Sequence, residues 1–331
     1  MASTDTVIVY VASADSLTPE IKTFRLVAPD RTALPGFTPG AHLQVEIPAA
    51  PGQRETAQWR SYSLINFDPA TDTSGNVDAY HIAVRLDEDG RGGSRFMHEA
   101  LQVGNTLTVR APSNHFALEQ LPEVILLAGG IGITPMISMA SALIAQQRPF
   151  QLHYSGRSLA HLAFIDNLQT LVGSRLHLHT DDDPHSKLSI EALLMAADPN
   201  QPVYVCGPAG MIDATLQIGE RLGWPKSALR YELFVEAQPL EGDLAFEVEV
   251  KSSGQVLTVA ADKSILDTLL EAGADMMYDC RSGYCGLCST KVCSGDIEHR
   301  DSYLSDVEKD GGQVMQVCVS RAKGGRLVLD I

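Results

Sequence analysis

Cys280-Arg281-Ser282-Gly283-Tyr284-Cys285-Gly286-Leu287-Cys288 sets three thiols in a C-x4-C-x2-C run, and a fourth thiol, Cys318, stands well downstream. This spacing fits a two-iron, two-sulfide cluster. Three thiolates can converge on a small inorganic core only if the chain curls tightly around it. Gly283 and Gly286 allow backbone angles that a side chain would forbid, and the amides of such a loop can point at sulfur and stabilise its negative charge. A fourth thiolate from a distant strand would close the site. A structural zinc site is the alternative. It usually shows two C-x2-C-like pairs, and here there is one such pair plus a longer spacer. Cys293, in the strand-like Thr290-Lys291-Val292-Cys293, reads as a packed thiol and not a ligand.

Upstream of this run, Val235-Glu236-Ala237-Gln238-Pro239-Leu240-Glu241-Gly242-Asp243 reads as a linker. Next, 245–251 and 256–259 flank Ser252-Ser253-Gly254-Gln255 as a hairpin. Residues 264–272 form a helix with Ile265, Leu266, Leu269 and Leu270 on one face. Residues 243–331 together resemble plant-type two-iron ferredoxins. The resemblance implies a β-grasp domain with Cys280, Cys285, Cys288 and Cys318 as metal ligands, and a one-electron carrier with a potential of roughly −400 mV.

The whole chain has 331 residues, enough for two or three domains, each with its own core. Hydrophobic residues make up 44 % of it, an ordinary globular content, and the net charge is −16. The acidic excess runs through every third of the chain, which argues against nucleic acid and anionic membrane surfaces as partners and favours a partner with a basic docking patch. Met1-Ala2-Ser3-Thr4-Asp5 has no basic region followed by an apolar core, and the apolar run Val124-Ile125-Leu126-Leu127-Ala128 is far too short to span a bilayer. A cytoplasmic protein is expected. Five of the six cysteines lie between Cys280 and Cys318, which points to metal or redox chemistry and not to a disulfide scaffold.

Near Pro122 the pattern changes from short punctuated strands to alternating strands and helices. Val124–Ala128 has the signature of a strand buried on both faces. Gly129-Gly130-Ile131-Gly132-Ile133-Thr134-Pro135 follows, then a helix from 135 to about 146. Glycines there would let a pyrophosphate approach the backbone at a helix N-terminus, and Pro135 is acceptable in a first turn. The three glycines do not make the G-x-G-x-x-G fingerprint, so a structural tight turn is the alternative. Further candidates at 150–154, 164–171, 175–180, 190–196, 203–206 and 211–222 predict a parallel α/β sheet. Tyr204-Val205-Cys206-Gly207-Pro208-Ala209-Gly210-Met211 ends one strand and opens another helix. The glycine turn and the Cys-Gly-Pro strand end together resemble the nicotinamide domain of the ferredoxin–NADP reductase superfamily. In that superfamily the first holds the pyrophosphate and the second lies near the nicotinamide. The resemblance implies Gly129, Gly130, Gly132, Thr134, Pro135, Cys206, Gly207, Pro208 and Met211 as binding residues. Arg157, after the second strand, stands where a ribose 2′-substituent would sit.

The first 118 residues read as a small antiparallel barrel of short strands with Gly/Pro turns. Trp59-Arg60-Ser61-Tyr62-Ser63-Leu64 offers a phosphate partner in Arg60, a stacking ring in Tyr62 and a hydroxyl in Ser63. Gly92, Gly93 and Ser94 could form a small anion-binding loop. A surface arginine and a glycine-rich hairpin are the plain alternative. The R-x-Y-S strand and the G-G-S loop look like the flavin barrel of the same superfamily.

The domain order flavin, nicotinamide, ferredoxin resembles the phthalate dioxygenase reductase-like family, with vanillate demethylase reductases as close relatives. The likeness spans nearly the whole chain and divides it into an FMN-binding β-barrel at 1–118, an NAD-binding α/β domain at 119–234, a linker at 235–243 and a [2Fe-2S] ferredoxin domain at 244–331. It implies FMN, with FAD as the alternative, held by Arg60, Ser61, Tyr62, Ser63, Val84, Arg85, Gly92, Gly93 and Ser94 and covered by Phe234. It favours NADH over NADPH. The implied protein is a monomeric reductase of a two-component system. Hydride passes from NADH to the flavin, and single electrons pass through the cluster to a terminal Rieske-type oxygenase or demethylase, with no catalytic acid or base. An FAD-containing electron-transfer subunit of another dehydrogenase is one rival, but such subunits carry their last cysteine much closer to the third. A redox sensor without turnover is another, but it would not need both halves of a nicotinamide site.

Overall fold

The computed structural model describes residues 6–48, 58–88, 90, 92–234 and 239–331. Residues Met1–Asp5, Arg91 and linker residues 235–238 lie outside the described residues. The chain divides into two compact units, Met1–Glu232 and Leu233–Ile331.

The first unit begins with six antiparallel strands: β1 (Thr6–Ser16), β2 (Ile21–Val27), β3 (His42–Ile47), β4 (Gln58–Ser63), β5 (Tyr80–Arg85) and β6 (Thr106–Arg110). Their order is β4-β3-β6-β1-β2-β5. The Ile65 N–H donates to the His81 carbonyl (2.9 Å), which brings the end of β4 to β5 and nearly closes the barrel. Inward residues such as Val9, Val11, Phe24, Leu26, Leu43, Val45, Ile82 and Val84 form its core. This is the alternation read from the sequence, with one addition. The Gly-Gly-Ser stretch does not stay a loop. Gly92, at φ +86°, turns the chain into α1 (Gly93–Arg95), which a π turn at Phe96–Ala100 continues.

A five-stranded parallel sheet completes the unit: β7 (Val124–Gly129), β8 (Phe150–Gly156), β9 (Leu176–Thr180), β10 (Val203–Cys206) and β11 (Leu229–Glu232), in the order β11-β10-β7-β8-β9. Helices α2 (Ile133–Ala145), α3 (Ile165–Val172), α4 (Ile190–Ala196) and α5 (Ala209–Arg221) connect the strands. All six residues of the central β7 are buried, as its unbroken apolar run requires of a strand covered on both faces. Barrel and sheet share contacts. Ser138 on α2 donates its hydroxyl hydrogen to the Leu64 carbonyl (2.7 Å) and accepts the Asn66 N–H (2.9 Å). The rings of Phe116 and Tyr204 meet edge to face at 5.5 Å.

The second unit pairs β12 (Phe246–Val250) with β13 (Gln255–Val259) as a hairpin and adds α6 (Ile265–Glu271), capped by the Ser264 hydroxyl. It continues with β14 (Ser289–Ser294), β15 (Ile297–Glu298), α7 (Asp306–Gly311), β16 (Val314–Gln316), β17 (Arg321–Ala322) and β18 (Arg326–Leu329). Its main sheet runs β13-β12-β18-β14-β16, with the helix face Ile265, Leu266 and Leu269 packed into one core with Val248, Val259, Leu327 and Leu329. Among the described residues no helix of the chain is long and apolar enough to cross a membrane.

Asp243 pins the start of this unit. Its carboxylate accepts two hydrogen bonds from the Arg300 guanidinium, at 2.9 and 2.6 Å, and both side chains are largely buried. The bond from Arg300 holds the Asp243 carboxyl at about 2, below its ordinary 3.8. Removing one partner of a buried pair costs about 3 kcal/mol, so Asp243→Ala should lower the urea midpoint of this unit in the full chain. A carboxyl depressed by folding contributes stability that is present above its unfolded value and lost as the pH falls through the folded one. The stability gap between wild type and Asp243→Asn should therefore close between pH 3.8 and about 2; a gap constant across that window would count against the assignment.

Candidate functional site

The cysteine loop runs from Asp279 to Ser289 and turns on three left-handed residues: Arg281 (φ +53°), Gly283 (φ +76°) and Gly286 (φ +78°). Arg281 pays the strain of a side chain at that angle; its guanidinium bonds Asp267 of α6 (2.6 Å) and lies over the Tyr278 ring (4.6 Å). The curl aims amides at sulfur. The Ser282 N–H reaches Cys280 Sγ at 3.4 Å. The amides of Tyr284 and Cys285 also face Cys280, that of Leu287 faces Cys285, and that of Gly283 faces Cys318. Cys288 and Cys318 are buried, and Cys280 and Cys285 half-buried.

The four thiols stand as two contacting pairs, Cys280 with Cys285 and Cys288 with Cys318. Among the described residues no three His, Cys, Asp or Glu side chains are arranged around one point to hold a single ion. Two pairs suit two metal centres with two thiolates each. The hydrogen bond from Cys285 draws the Cys280 thiol down against the effect of burial, helped by the amides. Cys288 is lowered by its bond from Cys318. Cys285 and Cys318, the donors in these bonds, are pushed up. Metal binding needs all four deprotonated, and the amide donors are already directed at that charge. The residues therefore fit the cluster. Cys293 is not packed: the alternation of β14 turns Val292 inward and leaves Cys293 exposed. Gln316, fully buried and bonded to Cys288 Sγ (3.3 Å) and Ser289 Oγ (2.5 Å), belongs to the cage but carries no motif that would reveal it.

At the end of β4, the stem of Arg60 lies on Gly93. A Cβ there would stand 3.0 Å from Arg60 Cγ, so a side chain at residue 93 would push the arginine stem aside. Tyr62 is half-buried, and burial raises its hydroxyl well above the usual value, with Arg60 pulling partly back. Ser63 is 4 % exposed, and its buried Oγ has no hydrogen-bond partner among the described residues. Such an atom costs free energy unless a bound group satisfies it. Ser61 and Arg85 are exposed, whereas Val84 lies in the barrel core and its carbonyl bonds His98 Nε2 (2.8 Å). Ser94 Oγ accepts the Asp87 N–H (3.0 Å) and closes the turn. Phe234, just after β11, is 42 % exposed.

The two motifs of the parallel sheet meet backbone to backbone. β7 and β10 are neighbours, with Ala128 opposite Cys206. A Cβ on Gly132 would lie 2.1 Å from the Cys206 carbonyl, and one on Gly129 would lie 2.7 Å from Pro208 Cδ and 2.6 Å from Met211 Sδ. A Cβ on Gly207 would lie 3.0 Å from Gly129 Cα. These glycines are needed for close approach of two chain segments, whereas Gly130 (φ +54°) has open space where its Cβ would be. Thr134 Oγ1 donates to the Ile131 carbonyl (3.0 Å) and tightens the turn, and Pro135 lies buried in the first turn of α2. Cys206 is fully buried, and its thiol is raised by burial and then by the Glu232 carboxylate beside it. All of this lies at the carboxyl ends of the parallel strands, where such sheets bind ligands. Arg157 is paired with Glu20 of the barrel, and the Asp182 N–H donates to the Arg157 carbonyl (3.2 Å), which brings the acidic turn 181–183 alongside it.

Three family models match the chain in order: an oxidoreductase FAD-binding domain over residues 9–118, an oxidoreductase NAD-binding domain over 126–217 and a 2Fe-2S iron-sulfur cluster binding domain over 248–323. The chain is 38 % identical to the toluene-4-sulfonate monooxygenase system reductase subunit of Comamonas testosteroni over 98 % of both chains. It is 34 % identical to the vanillate O-demethylase oxidoreductase of Acinetobacter baylyi, again over 98 % of both. Among solved structures it is similar to phthalate dioxygenase reductase, with a TM-score of 0.75, 35 % identity and 98 % coverage of each chain. The protein is thus an oxidoreductase with flavin, NAD and 2Fe-2S domains, and the chain belongs to the phthalate dioxygenase reductase-like family.

Proposed function

We propose that the chain is the reductase component of a two-component oxygenase or demethylase system, with NADH as donor, FMN as flavin and a Rieske-type oxygenase as acceptor. It would act as a monomer in the cytoplasm. The observation that carries the reading is the coexistence on one chain of the four-sulfur cage, the glycine turn and a barrel strand that ends in a buried hydroxyl awaiting a partner. When bound, the flavin accepts a hydride and the cluster carries one electron at a time. The protein's own part is position and charge.

Arg60 would neutralise the flavin phosphate, with the amides of Gly92, Gly93 and Ser94 completing an anion site at a helix N-terminus. Tyr62 would lie against the ring, and the Ser63 hydroxyl would meet a polar ring edge. The backbone around Ser61, Val84 and Arg85 would complete the wall, and Phe234 would cover the ring. On the nicotinamide side, Gly129, Gly130 and Gly132 with Thr134 and Pro135 would receive the pyrophosphate, and Cys206, Gly207, Pro208 and Met211 would border the nicotinamide. Arg157 would lie near the ribose. Its pairing with Glu20 and the acidic turn beside it support NADH over NADPH, because a 2′-phosphate there would meet carboxylates. Cys280, Cys285, Cys288 and Cys318 would hold the cluster, and no acid or base is required of the protein.

Anaerobic titration of the purified chain with NADH and then NADPH should bleach flavin and cluster bands with NADH at lower concentration, and the flavin released on denaturation should run as FMN. Flavin and cluster bands that neither nucleotide bleaches would sink the reductase reading. Ser63→Ala removes one hydrogen bond of about 1 kcal/mol, so flavin retention should weaken about fivefold; unchanged retention would remove Ser63 from the site. Cys318→Ser should leave NADH-driven flavin bleaching intact while reduction of cytochrome c is lost. If cytochrome c reduction continued at the wild-type rate, the cluster would not be the exit for electrons.

A further inference from the structure

We propose that Asp301 is a positioning residue for the cysteine cage, and that the balance between its buried carboxylate and the ammonium of Lys309 sets how readily the cage takes up an electron. The inference rests on the reading of Cys280, Cys285, Cys288 and Cys318 as cluster ligands.

The Asp301 side chain has no solvent exposure. A carboxylate survives there only with hydrogen bonds and counter-charge, and each is present. Oδ2 accepts the Leu304 N–H (2.8 Å), and Oδ1 accepts the Ser320 hydroxyl (3.3 Å). Lys309 Nζ lies 4.0 Å from Oδ2 and donates to the Asp301 carbonyl (2.6 Å). The Ser305–Glu308 capping box fixes the start of α7 and so delivers Lys309 to this point. His299 Nδ1 is 3.4 Å from Oδ1. The other charges on this stretch look away: Glu298 and Arg300 bond each other, and Arg300 turns to Asp243.

The position of this network gives it its effect. Asp301 backs directly onto Gly283: a Cβ on Gly283 would lie 3.1 Å from Asp301 Cα, and the Ser302 N–H donates to the Gly283 carbonyl (3.1 Å). The Gly283 amide in turn faces the Cys318 sulfur. Ser320, on the other carboxylate oxygen, follows Cys318 by two residues. The backbone at Asp301–Ser302 therefore meets the loop that carries three thiols, and the Asp301 side chain bonds the segment that carries the fourth. An asparagine could accept the Leu304 N–H through Oδ1 and, with the Ser320 hydroxyl turned to accept, donate to it from Nδ2. What aspartate adds is charge, one layer behind the sulfurs, in an interior where charge is poorly screened. A negative charge there opposes addition of an electron, and the nearby ammonium offsets it.

The test uses the full chain loaded with its cofactors. Dye-mediated redox titration of wild type, Asp301→Asn and Lys309→Gln would be followed by visible absorbance and by EPR of the reduced cluster. At a fixed ambient potential, Asp301→Asn should raise the reduced-to-oxidised ratio by about tenfold, equivalent to about 59 mV for one electron. Lys309→Gln, on the more exposed partner, should lower it by a smaller factor. Shifts of opposite sign support the charge balance, because mere loosening of the cage would move both variants the same way. Shifts of the same sign, or none, overturn the proposal. If Asp301→Asn fails to retain its cluster, Lys309→Gln decides alone: a lowered ratio supports the proposal and an unchanged one overturns it. If wild type itself assembles no two-iron chromophore, the cage reading falls and takes the proposal with it.

Discussion

The two hydrogen bonds of Ser138 hold the first unit in register. Its hydroxyl donates to the carbonyl of Leu64 and accepts the amide of Asn66, so the chain just beyond β4 is fastened to α2 on both sides of Ile65. The residue before that clamp is Ser63, whose buried hydroxyl has no partner among the described residues. The helix at the other side of the clamp begins with the glycine turn. A shift of the barrel against the sheet would have to break this buried pair of bonds, and each group left unpaired would carry a desolvation penalty. Hydride transfer demands close and oriented reactants, and this junction ties the chain just past Ser63 to the helix that follows the glycine turn.

The second unit solves a different problem, the gathering of negative charge. Four thiolates cannot sit together in a buried loop unless donors face them. Here the peptide amides supply the donors, and the left-handed turns at Arg281, Gly283 and Gly286 aim them. Much of the cage's support comes from outside the motif. Gln316 is fully buried and bonded to Cys288, and Asp301 is buried behind Gly283. Arg281 holds its strained angle against Asp267 of α6.

Glycine has two distinct uses in the nucleotide domain. Gly129, Gly132 and Gly207 are confined by neighbouring backbone and side chains, so their role is visible without any ligand. Gly130 is different: its positive φ and open surroundings leave its backbone available to a bound group. A sequence reading assigns the glycine turn to pyrophosphate and Gly207 to the neighbourhood of the nicotinamide. The folded chain shows that most of these glycines let β7 and β10 close ranks, and this close approach is what brings the glycine turn and the Cys-Gly-Pro strand end into one crevice.

The sequence by itself determined the architecture and the chemistry class. Alternation in 1–118, the continuous apolar run Val124–Ala128 and the C-x4-C-x2-C spacing are local patterns, and local patterns reflect constraints imposed residue by residue: which face is buried, which turn needs glycine, which thiols one loop can gather. Tertiary structure alone decided what depends on residues far apart in the chain. The pairing of the four thiols, the stacking of Arg60 on Gly93, the pairing of Arg157 with Glu20, the outward turn of Cys293 and the placement of Asp301 and Gln316 behind the cage are of this kind. An aspartate in a loop or a glutamine in a strand has no signature of its own; only the packing of distant segments removes it from water and gives its charge or its hydrogen bonds a consequence.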